Sequence, residues 1–234
     1  MVVKNRGFTL IELLVVIAVI AVLMSILMPV LGKVRKQAYG TVCQSNLRTI
    51  GLAVAMFADD NDGKVCRGMG EPRWFMEYMR YMKEDFEDGN FRRVKYYRCK
   101  AYPDKRQMVA YVVNAWSKDT WSGTFNEVSG LFKTLNIRDR ANTIYIADAE
   151  DGPHRPIIEN EQDGLGDMDV WHPDHLPAPE HNTSNRAARA RHKNGHNALF
   201  WDWHVGYVEA EDSNREMWVV RTKRGRPGAL SAPW

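Results

Sequence analysis

The stretch that decides the fold runs from residue 8 to residue 31 and reads FTLIELLVVIAVIAVLMSILMPVL. No charged side chain occurs between Leu13 and Leu31. At about 1.5 Å per residue, a helix over this run is about 28 Å long, which is close to the hydrocarbon thickness of a bilayer. The stretch therefore predicts a membrane-spanning helix.

Apolar residues continue beyond Leu31 at spacings of mostly three or four, which is the period of one helix face. Charged residues lie between these apolar positions. The apolar residues are Val34, Ala38, Val42, Leu47, Ile50, Val54 and Phe57. The pattern predicts one helix from about Phe8 to about Ala58, apolar in its first half and amphipathic in its second. Acidic residues and Gly63 follow, and a glycine there suits a helix end.

Three later segments have the composition of strands, because they are rich in β-branched and aromatic residues. They are residues 94–99, 109–115 and 143–147, and residues 198–209 predict a pair of strands. Residues 71–82 fit a short amphipathic helix. We expect an α+β fold in which the second half of the long N-terminal helix packs on a small antiparallel sheet.

Glu12 is unusual, because a carboxylate near the start of an apolar helix is costly in lipid and tends to mark function. It lies within residues 6–15, which read RGFTLIELLV. This string closely resembles the processing signal of type IV prepilins and type II secretion pseudopilins. The shared features are a basic leader, a glycine at the cut, a phenylalanine next, and a glutamate five residues into the mature chain.

The resemblance implies roles for three residues of this sequence. A prepilin peptidase would cut between Gly7 and Phe8 and methylate the new N-terminus on Phe8. Glu12 would act in assembly, because a buried ammonium on Phe8 needs a counter-charge. A Glu12 carboxylate from a neighbouring subunit would supply it.

The same resemblance implies an organisation and a function. We expect a leader peptide at residues 1–7, a transmembrane and assembly helix at 8–31, its amphipathic continuation at 32–62, and a periplasmic or extracellular α+β domain at 63–234. The expected function is that of a pilin-like (pseudopilin) subunit of a type II secretion or type IV pilus-like filament. Expected partners are the prepilin peptidase, other pilin subunits, the inner-membrane assembly platform and the lipid bilayer.

Charges before the apolar stretch predict its orientation. Lys4 and Arg6 precede it, and basic residues near a span favour the cytoplasmic side. We expect a single pass through the inner membrane, with the N-terminus in the cytoplasm and the remainder in the periplasm or in a surface filament. A secretory signal peptide fits less well, because the apolar run is too long and no small-x-small cleavage pattern follows it.

A second resemblance involves two distant segments. Residues 43–53 read CQSNLRTIGLA, and residues 192–205 read HKNGHNALFWDWHV. Both are similar to segments of pseudopilin-like proteins that carry a C-terminal His-x9-Asp-Gly motif. His192 and Asp202 have the motif's spacing, but Trp203 stands where the motif has glycine. Since a tight turn favours glycine where φ is positive, Trp203 argues against that turn geometry.

Imidazoles and carboxylates around this motif could bind a divalent cation. The candidate ligands are Asp148, His192, Asp202 and His204, and a second possible cluster comprises His172, His175 and His181. The alternative is that these groups hydrogen-bond to the backbone or to each other and stabilise loop geometry. We expect no other cofactor.

Composition and motifs exclude several classes of protein. Lys and Arg number 32 against 29 Asp and Glu, so the net charge does not indicate a nucleic-acid partner. No nucleophile-elbow, phosphate-loop, dinucleotide or zinc-protease motif occurs, so we expect no enzyme. Two alternatives stay open: a membrane-anchored metal-binding enzyme, and a module that binds glycans or cargo through residues 151–191, with Trp171 and Trp201 as candidate stacking residues.

The three cysteines leave one pairing open. Cys66 and Cys99 could form a disulfide in an oxidising periplasm, whereas Cys43 is expected to be a thiol packed on the helix. The sequence does not show the distance between any two of them.

Overall fold

The chain divides into two units in this computed structural model, residues 1–38 and residues 39–234. One helix, α1, runs Leu10–Asp60 and contributes to both. The residues that the structure describes are 10–68, 70, 72–82, 90–116, 130–152, 157–158, 168–177 and 184–220.

The first unit contains the N-terminal part of α1. All side chains from Leu10 to Ala38 are exposed, although nearly all of those up to Leu31 are apolar. The helix continues through Pro29, where the missing N–H removes one backbone hydrogen bond. By length and composition this helix is able to cross a membrane.

The second unit is built on β-strands. They are β1 (Lys64–Arg67), β2 (Tyr111–Asn114), β3 (Gly130–Lys133), β4 (Ile144–Asp148), β5 (Asp169–Val170), β6 (Gly195–Phe200) and β7 (Val205–Glu209). Within the described ranges, one sheet has the order β5-β2-β4-β6-β7, and β1 pairs with β3 in a second, two-stranded sheet. The pairing of β2 with β5 is parallel and the other pairings are antiparallel. The expected α+β class is confirmed.

The amphipathic half of α1 packs on the five-stranded sheet. Its buried residues recur on one face and comprise Cys43, Leu47, Ile50, Gly51, Ala53, Val54, Phe57 and Ala58. Those from Leu47 onward contribute apolar side chains to a core shared with Tyr145 and Ile146 of β4 and Leu199 of β6, whereas Cys43 belongs to a second cluster. The approach is close at Gly51, where a Cβ atom would lie 2.9 Å from Leu199 Cδ1. The expected helix-on-sheet arrangement is therefore present.

The end of α1 follows its sequence signal. Asp62 and Gly63 have φ values of 56° and 73°, in the left-handed region. The N–H of Gly63 donates to the carbonyl of Ala58 at 2.8 Å. This hydrogen bond satisfies one of the carbonyls that a helix end leaves without a partner.

One of the strand predictions is wrong. The predictions at 109–115, 143–147 and 198–209 are confirmed as β2, β4 and the β6–β7 hairpin, and residues 71–82 contain a short helix, α2 (Trp74–Met79). Residues 94–99 instead contain a 3-10 turn, Lys95–Tyr97. The ring of Tyr97 packs 5.5 Å from that of Trp74, and its hydroxyl donates to the Phe75 carbonyl at 2.6 Å. These tertiary contacts outweigh the β propensity of the segment.

Candidate functional site

The predicted processing residues lie at the very start of the chain. Gly7 and Phe8 are outside the described residues. Glu12 occupies the first turn of α1 and its side chain is exposed. The roles expected of these three residues stay predictions.

Two of the four candidate metal ligands are brought together by the sheet. Asp148 is the last residue of β4, and His192 lies in the turn before β6, where it exchanges backbone hydrogen bonds with Gly195. His192 Nε2 is 3.4 Å from Asp148 Oδ2, and the Asn197 N–H donates to the same oxygen at 2.7 Å. Both side chains are buried. A buried ion pair with a further hydrogen bond is the arrangement in which charges persist inside a protein.

The other two candidates form a separate pair at the tip of the β6–β7 hairpin. His204 Nδ1 lies 2.6 Å from Asp202 Oδ1, and the His204 N–H donates to that oxygen at 3.2 Å. The His204 ring stacks on Phe200 with 4.3 Å between centroids. The chain turns here, so Asp202 and His204 lie between β6 and β7 and not on a strand. Among the described residues, no group of three or more close metal-binding side chains includes either of them.

Trp203 adopts the turn conformation that its identity argued against. Its φ is 74°, in the region that favours glycine. Its ring packs edge-on against Tyr145 with 5.9 Å between centroids. We infer that this packing offsets the backbone strain. The turn geometry is therefore kept without the glycine, and the expectation drawn from Trp203 is wrong.

A third cluster involves residues that sequence reasoning had not combined. Potential ligand atoms of Cys43, Cys99 and His192 all lie within 4.8 Å of one another. The two sulfur atoms are 2.9 Å apart, and Cys99 Sγ is 3.6 Å from His192 Nε2. Cys43 sits on the buried face of α1, whereas Cys99 follows the 3-10 turn Lys95–Tyr97. The helix α1, the coil after the 3-10 turn and the turn before β6 thus bring two thiols and one imidazole together.

The close contacts of this cluster shift the pKa values of its three members in different directions. Burial lowers the pKa of His192, but Asp148 and Cys99 outweigh burial and raise that pKa to about 9. The hydrogen bond between the thiols lowers the pKa of Cys43, and together with burial it raises the pKa of Cys99. His192 contacts Cys99 and opposes the rise of its pKa without overcoming it.

Cys66 lies in a different part of the core. Its N–H donates to the Tyr78 hydroxyl at 2.9 Å, and its carbonyl accepts from Tyr145 at 2.6 Å. Burial raises the pKa of its thiol to about 12. The hypothesis of a Cys66–Cys99 disulfide is wrong for this fold, since the sulfur beside Cys99 is that of Cys43. The periodic apolar face of α1 placed Cys43 in the core, but nothing local identified its neighbour.

The 151–191 segment contains a partly folded histidine group. His172 precedes the short Pro173–His175 turn and His175 ends it, with 5.7 Å between their ring centroids. The ring of Trp171 packs 5.0 Å from that of His175. His181 lies outside the described residues. Trp201 is fully buried beside Tyr145, so its expected role in a stacking surface is wrong.

Comparison with known proteins identifies the N-terminal segment. Residues 3–28 match the family described as the prokaryotic N-terminal methylation motif. The chain is also similar to the type IV wide pilus major component PilA4 of Thermus thermophilus, with 46% identity over 57 residues. This match covers 24% of the chain and 44% of the relative, so the chain matches less than half of that protein's length. No solved structure matches the chain.

These matches support a pilin-like subunit. The family match lies in the segment that carries the resemblance seen in the sequence. Recognition of the chain as pilin-like is confirmed. The resemblance to the His-x9-Asp-Gly subgroup stays a prediction.

Proposed function

We propose that this chain is a structural subunit of a type IV pilus-like filament or membrane-anchored complex. A prepilin peptidase removes residues 1–7 and methylates Phe8, and the mature subunit then assembles with other pilin subunits through α1. The observation that carries the proposal is the exposed apolar surface from Leu10 to Leu31, most of which lies within the methylation motif at residues 3–28.

That surface needs an apolar environment. Burying one side chain the size of Leu or Val is worth about 1.5–3 kcal/mol. More than a dozen such side chains are exposed along one helix here. A bilayer accommodates them before assembly, and packed helices of neighbouring subunits accommodate them within a filament.

Glu12 is the exception that gives this surface its specificity. A carboxylate in apolar surroundings is expensive unless it is paired. Cleavage after Gly7 creates an ammonium group on Phe8, four residues before Glu12. An ion pair between Glu12 of one subunit and Phe8 of the next would therefore fix the register of adjacent helices.

The orientation and machinery follow from the same segment. Lys4 and Arg6 precede α1, which supports a cytoplasmic N-terminus and a single pass through the inner membrane with the second unit in the periplasm. The inner-membrane assembly platform is the proposed partner that extracts the subunit. Between a type IV pilus and a type II secretion system, similarity to a pilus component favours the pilus.

Processing is tested by mass spectrometry of the mature N-terminus in cells that contain the peptidase. We expect the wild-type chain to begin with a methylated Phe8. Gly7→Val should accumulate uncut, because the peptidase accepts only a small residue at the cut. The matched control is Gly32→Val, since a Cβ at Gly32 meets nothing within 4 Å. Normal cleavage of Gly7→Val would refute the assignment.

Assembly is tested separately with Glu12→Val. The cut site is intact in this variant, so we expect a mature, membrane-resident chain that incorporates poorly into filaments. Asp59→Val is the matched control, because it removes an exposed carboxylate near the other end of α1. Wild-type incorporation of Glu12→Val would show that Glu12 has no pairing role.

A further inference from the structure

We propose that Cys43 and Cys99 form a disulfide bond once the second unit has left the cytoplasm. The inference rests on the proposed function in one respect, since export is what brings the thiols into an oxidising compartment. The bond would link α1 covalently to the coil that precedes β2.

The geometry favours a disulfide over the other chemistry that two cysteines and a histidine suggest. A tetrahedral zinc ion with Zn–S bonds of about 2.3 Å holds its sulfurs about 3.8 Å apart. The observed separation of 2.9 Å is well below that spacing and approaches the S–S bond length of about 2.05 Å. Structural zinc sites also use four protein ligands. In the described part of the chain, the only group of three or more ligand atoms that all lie within 4.8 Å of one another comprises Cys43, Cys99 and His192. Asp148 lies 3.4 Å from His192 Nε2 and is not part of that group.

Burial makes the proposed bond durable. Cys43 and Cys99 are 0% and 4% exposed. A reductant therefore has little access to the bond after folding. Cys66, the third cysteine, belongs to a separate part of the core. The fold therefore favours pairing of Cys43 with Cys99 and leaves Cys66 as a thiol.

The contact between the two sulfurs decides which of them attacks first. The hydrogen bond with Cys99 lowers the pKa of Cys43 and so favours the Cys43 thiolate. During folding, the Cys43 thiolate attacks one sulfur of an external disulfide, either an oxidoreductase of the compartment or oxidised glutathione. The external S–S bond breaks and releases one thiol, which takes up a proton.

The second step completes the exchange. Cys99 loses its proton and attacks the Cys43 sulfur of the mixed disulfide, which releases the second external thiol. In total, two electrons and two protons pass from Cys43 and Cys99 to the oxidant. The product is one internal disulfide and two external thiols.

The link has a mechanical consequence for a filament subunit. It closes a loop between positions 56 residues apart, which includes the end of α1, β1 and α2. The other contacts between the second half of α1 and the sheet are non-covalent. A covalent link near residue 43 would prevent α1 from peeling off the sheet when a filament is pulled.

The test counts thiols in the full-length protein purified from membranes. The chain is denatured with chelator present and treated with a maleimide-polyethylene glycol reagent, with and without prior reduction. We expect one adduct without reductant and three with it. The Cys66→Ser control should show no adduct without reductant and two adducts with it. Cys43→Ser should show two adducts in both samples. Peptide mass spectrometry of the unreduced wild type, which needs no variant to fold, should identify the Cys43–Cys99 peptide.

Three adducts without reductant in exported wild-type protein would overturn the proposal. If that sample also held one equivalent of zinc before denaturation, a metal site would replace the disulfide. The mature N-terminus is measured on the same sample, so a cut chain with three free thiols rejects only the disulfide. An uncut chain refutes the proposed processing and leaves the disulfide to a second measurement. The full-length chain is then refolded with oxidised glutathione. Formation of the Cys43–Cys99 disulfide in the refolded chain supports the proposal, and its absence refutes it.

Discussion

At position 203 we expect a glycine variant to be more stable than an alanine variant, which is the reverse of their usual order of stability. A non-glycine residue in the left-handed region costs about 1–2 kcal/mol, and the φ of Trp203 is 74°. Trp203→Ala keeps this strain and loses the ring packing against Tyr145. Trp203→Gly loses the same packing but relieves the strain. Both variants should therefore be less stable than the wild type, and the alanine variant should be the less stable of the two.

The magnitude follows from two opposing terms. Glycine loses about 0.5–1 kcal/mol more conformational entropy than alanine on folding, so the net advantage of glycine at position 203 is about 1 kcal/mol. For a unit of this size, about 1 kcal/mol corresponds to a shift in melting temperature of roughly 2–4 °C. Removing a half-buried tryptophan costs both variants roughly 2 kcal/mol, about half the value for a buried one.

The assay is scanning calorimetry of the full-length chain in detergent, with Leu52→Ala and Leu52→Gly as controls. Leu52 is 68% exposed on α1 in ordinary helical backbone. There glycine should be less stable than alanine by about 1 kcal/mol. If Trp203→Ala is at least as stable as Trp203→Gly, as expected at position 52, the left-handed turn does not exist in solution and the argument fails.

Two further predictions concern the hairpin and the buried imidazole. Asp202→Asn should lower the free energy of unfolding by no more than about 1 kcal/mol, because the Asp202–His204 pair is exposed. Thermal unfolding with chelator, with calcium and with zinc should give the same difference between variant and wild type. A difference that grows only when metal is present would support the cation hypothesis. In reductant, which keeps Cys43 and Cys99 as thiols, the pKa of His192 is raised to about 9 in the folded chain from the ordinary 6.5. Its stabilising contribution is therefore complete below about pH 6.5 and is lost as the pH rises through about 9. Urea unfolding across that range should show wild-type stability falling more steeply than that of His192→Gln, and parallel curves would contradict the assignment.

The long helix could be predicted because its signals are local. The uncharged run before Leu31, the apolar period after it and the stop at Gly63 each lie within a few residues of the structure they specify. The strands β2, β4, β6 and β7 were predicted for the same reason. The short segment 94–99 was not, because Trp74 and Phe75, about twenty residues earlier in the chain, decide its conformation.

The turn at Trp203 shows a limit of a different kind. Glycine preference at positive φ is a statement about backbone strain alone. A ring that packs on Tyr145 stabilises the same conformation from outside the turn. Local propensity therefore argued against a geometry that tertiary packing maintains.

By itself, the sequence determined the apolar helix, its processing motif and the class of protein that carries such a motif, since these depend on contiguous residues and on their contact with lipid. Only the tertiary structure decided which side chains meet in the second unit. Cys43 and Cys99 are 56 positions apart, and His192 is 93 positions beyond Cys99. Their convergence depends on how α1 lies across the sheet, and that packing is the summed result of many weak contacts that no short stretch of sequence contains.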